Sequence, residues 1–141
     1  MALKRTKHDK IISDLIRERA EWCCERCDTY FPEGHGRQGL HASHYYGRGR
    51  ISTRFLPDNL NSLCMGCHLH MSGNRDEYTA FKVKELGQSR FDDLVLRGNA
   101  VMKYTKSDKE ELYIHYKAQY KYMLRRRKQG DRGYLPIVNW D

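Results

Sequence analysis

Two Cys-x₂-Cys pairs, far apart in the chain, carry its clearest chemistry. The first pair is Cys24 and Cys27, and the second is Cys64 and Cys67. Tetrahedral Zn²⁺ accepts four thiolates, and a site closed by four cysteines has no open position for a substrate. We therefore expect a structural zinc site that joins the two ends of the intervening segment. Cys23 could replace Cys24 as a ligand, but the spacing to Cys27 favours Cys24.

The segment between the two pairs, and the residues just after it, contain side chains that could act on a substrate. His44 lies at the predicted end of a strand, before a loop rich in glycine and arginine. An unperturbed histidine titrates near neutral pH, so it can take a proton from water near pH 7. Asn59 and His68 follow His44 at a spacing that makes a catalytic role more plausible than for a lone histidine.

The series His44, Asn59, Cys64-x₂-Cys67 and His68 resembles the HNH nuclease family. This resemblance implies that His44 is the general base. It also implies that Asn59 holds the base and its loop by hydrogen bonds to the backbone, and that His68 binds a catalytic divalent metal ion. Asn61 is a second candidate for the orienting asparagine.

A closer resemblance, over about residues 15–95, is to the NinG/Rap recombination endonucleases of lambdoid phages. The matching stretches are Ile16-Arg17-Glu18-Arg19, Ala42-Ser43-His44-Tyr45, Arg54-Phe55, the second cysteine pair, His70-x-Ser72-Gly73-Asn74 and Leu86-Gly87-Gln88. Members of that family cut branched DNA. The resemblance implies a phage enzyme that acts on D-loops or Holliday-type junctions in the cytoplasm of a bacterial host.

The metal-binding positions depart from the usual HNH pattern. The residue before the base is usually a ligand, but here it is Ser43, a poor one. His41 shares a strand face with residue 43, so it could bind the metal instead, or be an ordinary hydrogen-bonded strand histidine. His70 is a candidate for a phosphate contact, for supporting the ligands or for metal binding, although residues 68 and 70 do not share a helix face. The expected ion is Mg²⁺ or Mn²⁺, with Ni²⁺ as an option because imidazole suits softer metals.

The charge of the chain favours a nucleic-acid partner. The formal net charge is +8 over 141 residues, and residues 97–128 hold ten Lys/Arg against three Asp/Glu. Basic side chains bind phosphates regardless of base sequence. The predicted DNA contacts are Arg48, Arg50, Arg54, Lys117, Lys121, Arg125, Arg126 and Arg127. No apolar run is long enough to span a membrane, and the N-terminus does not resemble a secretory signal.

The elements that must position these groups follow from hydrophobic periodicity and turn residues. Helices are predicted at 9–22, around 64–70, at 77–86, 91–96 and from a capping box at Ser107–Glu110 to about 129, with a loop at 31–39 and strands at 40–46 and 60–63. The fold class is α+β, with a zinc-stapled ββα-metal (HNH, or His-Me finger) core, flanking helices and a long basic C-terminal helix. The predicted division is an N-terminal helix (1–22), a zinc-knuckle nuclease domain (23–98) and a basic helix with an apolar tail (99–141).

The leading hypothesis is a metal-dependent endodeoxyribonuclease selective for branched DNA, forming a homodimer if junctions are cut symmetrically. A sequence-reading or nicking HNH endonuclease acting on duplex DNA is the first alternative. A non-catalytic zinc-knuckle DNA-binding protein is a second alternative, because Ser43 is a poor ligand at a position where the HNH pattern has a metal-binding residue. An RNA-binding zinc protein fits the charge of the chain but not its histidines.

Overall fold

The computed structural model describes residues 3–32 and 39–141, so most of the predicted loop at 31–39 lies outside the described residues. Within these ranges the chain forms six α-helices and a two-stranded sheet. The elements in order are α1 (Lys7–Arg19), β1 (Leu40–His44), α2 (Ile51–Arg54), a 3₁₀ turn (Pro57–Asn59), β2 (Leu60–Cys64), α3 (Met65–Gly73), α4 (Arg75–Leu86), α5 (Gln88–Gly98) and α6 (Lys106–Lys128). The predicted α+β class is confirmed.

The sheet and the helix after it bring the two ends of the histidine-rich segment together. Strands β1 and β2 are antiparallel, with Leu40 opposite Cys64 and His44 opposite Leu60. Helix α3 begins directly after β2. The strand predicted at 40–46 ends at His44. The amide of Tyr45 still donates to the main-chain oxygen of Asn59, but the amide of Asn59 donates to Leu56 and the amide of Tyr46 donates to the Asn59 side chain.

Two hydrophobic clusters hold the elements in place. One lies between the sheet, the turn that carries Cys24 and Cys27 (the first cysteine turn), α3, α4 and α5. The other packs Ile12 and Ile16 of α1 against Leu112, Tyr116 and other residues of α6, and its edge is covered by the apolar C-terminal tail. Burying one large apolar side chain contributes about 1.5–3 kcal/mol. Helix α1 is thereby fixed between β1 and α6.

The helix ends differ from the sequence predictions because other residues provide the caps. Helix α6 begins after Thr105, whose side chain and that of Asp108 form the reciprocal capping box, rather than at the predicted Ser107 pair. Helix α1 is capped in the same way by Thr6 and Asp9, so it begins before residue 9, and it ends at Arg19. Among the described residues, no helix is both long and apolar enough to cross a membrane.

Candidate functional site

The four predicted zinc ligands form one cluster. The sulfur atoms of Cys24, Cys27, Cys64 and Cys67 all lie within 4.8 Å of one another, and those of Cys27 and Cys64 are 3.9 Å apart. Thiolates bound to tetrahedral zinc at about 2.3 Å would be about 3.8 Å apart, so the donor set fits Zn²⁺. The thiol of Cys23 instead lies 3.7 Å from the main-chain oxygen of Glu21. The predicted positioning of four cysteines for a structural metal ion is confirmed.

A buried polar network attaches the first cysteine turn to β2. The amide of Glu25 donates to the oxygen of Ser62, and the amide of Ser62 donates to the Glu25 carboxylate, both at 2.7 Å. Asn61 donates to the same carboxylate and accepts from Lys82, which is fully buried. Asn61 therefore supports the cysteine turn, whereas the loop after His44 is held by Asn59.

Three of the predicted site histidines share one cleft of about 530 Å³. Its walls are α1 and the segment just before it, β1, the loop after β1 and α3. The lining residues are Arg5, Asp9, Ser13, Arg17, Leu40, His41, Ala42, His44, Gly47, Arg48 and His68. The cleft thus joins two potential metal ligands, a potential base and several cations.

The ring of His44 is held in one tautomer. Its Nε2 lies 3.2 Å from the main-chain oxygen of Arg54. A carbonyl oxygen only accepts hydrogen bonds, so Nε2 carries the proton and Nδ1 keeps its lone pair. Burial lowers the pKa of His44 to about 4, and the charge of Arg48 acts in the same direction. The imidazole is consequently neutral at pH 7 and able to accept a proton.

A buried ion pair fixes the residue that supplies this carbonyl. The guanidinium of Arg54 donates to both carboxylate oxygens of Asp9, at 3.0 and 2.6 Å, and to the oxygen of Lys4 at 3.1 Å. Burial alone would raise the pKa of Asp9, but the hydrogen bonds from Arg54 and Thr6 hold it below its usual value. The DNA contact predicted for Arg54 stays a prediction, but its side chain ties α1 to the loop behind His44.

Asn59 fastens the loop that follows the base. Its side-chain oxygen accepts from the amide of Tyr46 at 2.8 Å, and its amide group donates to the oxygens of Tyr46 and Thr53 at 2.9 and 3.1 Å. The side chain is fully buried. Asn59 therefore holds the loop after His44 in place, and it is not among the residues that line the cleft.

His41 and His68 stand side by side. Their rings are nearly parallel, with centroids 5.5 Å apart. Burial and then the charge of His41 lower the pKa of His68, which keeps its ring neutral and able to bind a metal ion. Ser43 is fully buried and bonds to His68 Nδ1 at 2.9 Å, so it lies behind the ligand position. Two imidazoles suit a divalent transition-metal ion that completes its coordination with water or phosphate oxygens.

His70 lies elsewhere on α3. Its Nε2 is 2.6 Å from the carboxylate of Glu77, which also contacts Arg26 beside the cysteine cluster. It is not among the residues that line the cleft. The structure thus brings His41, His44 and His68 together and leaves His70 out.

Arg5 and Arg17 line the cleft but were not among the residues predicted from the sequence. They belong to a series at four-residue spacing with Asp9 and Ser13, and this spacing could have indicated a shared helix face. Arg48 lines the cleft as well. Arg50 is turned to the main-chain oxygen of Gly98, at 2.8 Å.

The five DNA contacts predicted on α6 fall into two groups. Arg126 and Arg127 are engaged by Asp131 and Glu18 respectively. Lys117, Lys121 and Arg125 are exposed, and within residues 3–32 and 39–141 none of them forms an ion pair. Of these five predicted DNA contacts, the second group is the one whose charges are available to phosphates.

Comparison with known families gives a match that covers most of the chain. The family model described as "NinG: Bacteriophage Lambda NinG protein" matches residues 4–127. Comparison with curated proteins and with solved structures gives no significant match. The match includes the cysteine cluster, every residue that lines the histidine cleft and nearly all of α6.

Proposed function

The chain belongs to the bacteriophage Lambda NinG protein family, and on that premise we propose that it is a metal-dependent, HNH-type DNA endonuclease acting on branched recombination intermediates. Membership of this phage family suggests a recombination-related function. The observation that carries the proposal further is the meeting of His41, His44 and His68 in one cleft lined by cations. A protein that only binds DNA has no need of a neutral, oriented imidazole at that place.

His44 is the proposed general base. With Nε2 donating to Arg54, its Nδ1 is the atom that takes the proton from the attacking water. Asn59 holds the base and the loop after it in place through its three side-chain hydrogen bonds. A positioned base of this kind contributes about 10²–10⁴ in rate.

His41 and His68 would hold the divalent ion. When bound, Mg²⁺, Mn²⁺ or Ni²⁺ would neutralise charge that develops on the scissile phosphate and the leaving oxygen. The stacked rings share the wall of the cleft on which a phosphate would lie. Arg5 and Arg48 supply positive charge around that phosphate, and arginine can bind two phosphate oxygens at once. The guanidinium of Arg17 is instead paired with Asp14 at 2.7 Å.

The exposed cations of α6 are the proposed contact for DNA outside the cleft. Lys117, Lys121 and Arg125 recur every four residues, so they form one row on the helix. Phosphate contacts of this type fix the orientation of DNA without reading its sequence. They suit an enzyme that distinguishes DNA shapes.

A substrate panel tests this proposal. Labelled four-way junction, D-loop, flap and linear duplex DNA are incubated with the protein and Mg²⁺, Mn²⁺ or Ni²⁺. The expected result is metal-dependent cutting of the branched DNAs that leaves 5′-phosphate and 3′-hydroxyl ends. Equal cutting of the linear duplex would support nuclease activity but contradict selectivity for branched DNA. Binding without cutting under all three metals would favour a zinc-knuckle DNA-binding protein.

A further inference from the structure

Ser43 and Tyr78 form a hydrogen-bonded chain behind His68. The hydroxyl of Ser43 lies 2.9 Å from His68 Nδ1 and 2.9 Å from the hydroxyl of Tyr78. The hydroxyl of Tyr78 also lies 3.4 Å from the main-chain oxygen of Ser43, to which it can donate. Ser43 and Tyr78 are both fully buried, so water does not compete for these groups.

Both directions of this chain give every proton an acceptor, and only one of them leaves His68 able to bind a cation through Nε2. In that direction, Nδ1–H of His68 donates to Ser43, Ser43 donates to Tyr78, and Tyr78 donates to the oxygen of Ser43. In the reverse direction Tyr78 donates to Ser43 and Ser43 donates to Nδ1. The proton of the ring then sits on Nε2, which faces away from Ser43 and can no longer bind a metal ion.

We propose that Tyr78 is a positioning residue that, through Ser43, holds His68 in the Nδ1–H tautomer and so prepares Nε2 as a metal ligand. The inference rests on the proposed function for the identity of His68 as a ligand. It gives Ser43 a role at the position where the HNH pattern has a metal ligand. Metal-bound histidines generally donate their other ring nitrogen to a fixed acceptor, and loss of that acceptor weakens metal binding about 10–100-fold.

Tyr78→Phe isolates the hydroxyl, because the phenyl ring fills nearly the same space. Without Tyr78 as acceptor, Ser43 turns its proton toward His68 Nδ1, and the ring adopts the Nε2–H tautomer. Tyr45→Phe is the matched control. It removes another hydroxyl from a buried tyrosine, one that bonds to Thr79 at 2.6 Å and packs against the ring of Tyr78.

The tautomer is measured by ¹⁵N NMR of the histidine rings at pH 8, in zinc-loaded protein without the second metal. Mn²⁺ affinity is measured separately by electron paramagnetic resonance. Wild type and Tyr45→Phe should show Nδ1–H at His68 and equal Mn²⁺ affinity. Tyr78→Phe should show Nε2–H and bind Mn²⁺ about tenfold more weakly.

Unchanged tautomer and Mn²⁺ affinity in Tyr78→Phe would overturn the inference. Ser43→Ala provides a second route if Tyr78→Phe does not fold, and it should also weaken Mn²⁺ binding. The NMR measurement needs no cleavage. A wild-type protein that shows the expected tautomers but never cuts DNA would therefore contradict the proposed nuclease while leaving the hydrogen-bonded chain in place.

Discussion

The Nε2 atom of His44 lies 3.2 Å from the main-chain oxygen of Arg54, and this single contact determines which ring nitrogen can act as a base. Asp9 holds Arg54 by its side chain, so the position of that oxygen depends on the first turn of α1. Helix α1, which precedes the first cysteine pair, therefore helps to position His44. Removing one partner of such a buried ion pair typically costs about 3–5 kcal/mol.

His44 should remain neutral well below its ordinary titration range. Its pKa is lowered from 6.5 to about 4 by burial, so the unfolded chain binds the proton more readily than the folded one. Stability from this group is therefore complete above pH 6.5 and is lost as the pH falls from 6.5 through about 4. An NMR titration of the folded protein should find the ring unprotonated at pH 5.5, and an ordinary value near 6.5 would contradict the burial argument.

Asn59→Ala should loosen the loop after the base. It removes three hydrogen bonds and leaves the amide of Tyr46 without its partner, which should lower the free energy of unfolding by about 2–3 kcal/mol. Cleavage should fall by about 10²-fold, because small displacements of catalytic groups have large effects. Denaturant unfolding and cleavage rates check both effects. The control, Asn99→Ala, removes a single bond from an exposed side chain and should change neither.

One zinc ion should bind each chain. Elemental analysis of purified protein should find that stoichiometry, and Cys67→Ser should lose zinc and much of its ordered structure, since a structural zinc site contributes directly to folding. Cys23→Ser serves as the comparison, because that thiol lies outside the cluster. Equal zinc loss in both variants would mean that the ligand set is wrong.

The exposed row on α6 should account for part of the salt dependence of DNA binding. Lys117→Gln with Lys121→Gln removes two available cations, which should reduce the slope of log K against log salt by about 1.8. Lys84→Gln with Lys103→Gln changes the net charge equally at two exposed lysines on other segments. Fluorescence anisotropy on one junction at several salt concentrations measures both. A similar loss in the two pairs would indicate a general charge effect and no specific contact by α6.

The sequence was most informative where the chemistry depends on local spacing. The cysteine pairs and the strand–loop–strand–helix order could be predicted because tight turns and hydrophobic alternation are local properties. The spacing of Arg5 and Arg17 could indicate a shared face, but not that this face lines the cleft, because that depends on how α1 packs between β1 and α6. The start of α6 was also missed, since Thr105–Asp108 and Ser107–Glu110 are both capping patterns and only the folded chain selects one.

The partners of the basic side chains were the other part that local patterns could not predict. Arg54 and Arg127 look like free cations in the sequence, but tertiary packing places each beside an acidic residue of α1. The same reasoning applies to Ser43, whose buried hydroxyl bonds to residues that are distant in the chain.

The most direct test of the account is cleavage of a labelled four-way junction by wild type, His44→Ala and His70→Ala, with Mn²⁺ present and DNA binding measured in parallel. His70 lies outside the cleft, so its variant should cut at a rate close to that of wild type. The account predicts that His44→Ala binds the junction normally and cuts it at least about 10²-fold more slowly. Full activity in His44→Ala, or equal loss in both variants, would contradict the claim that the histidine cleft is the active site.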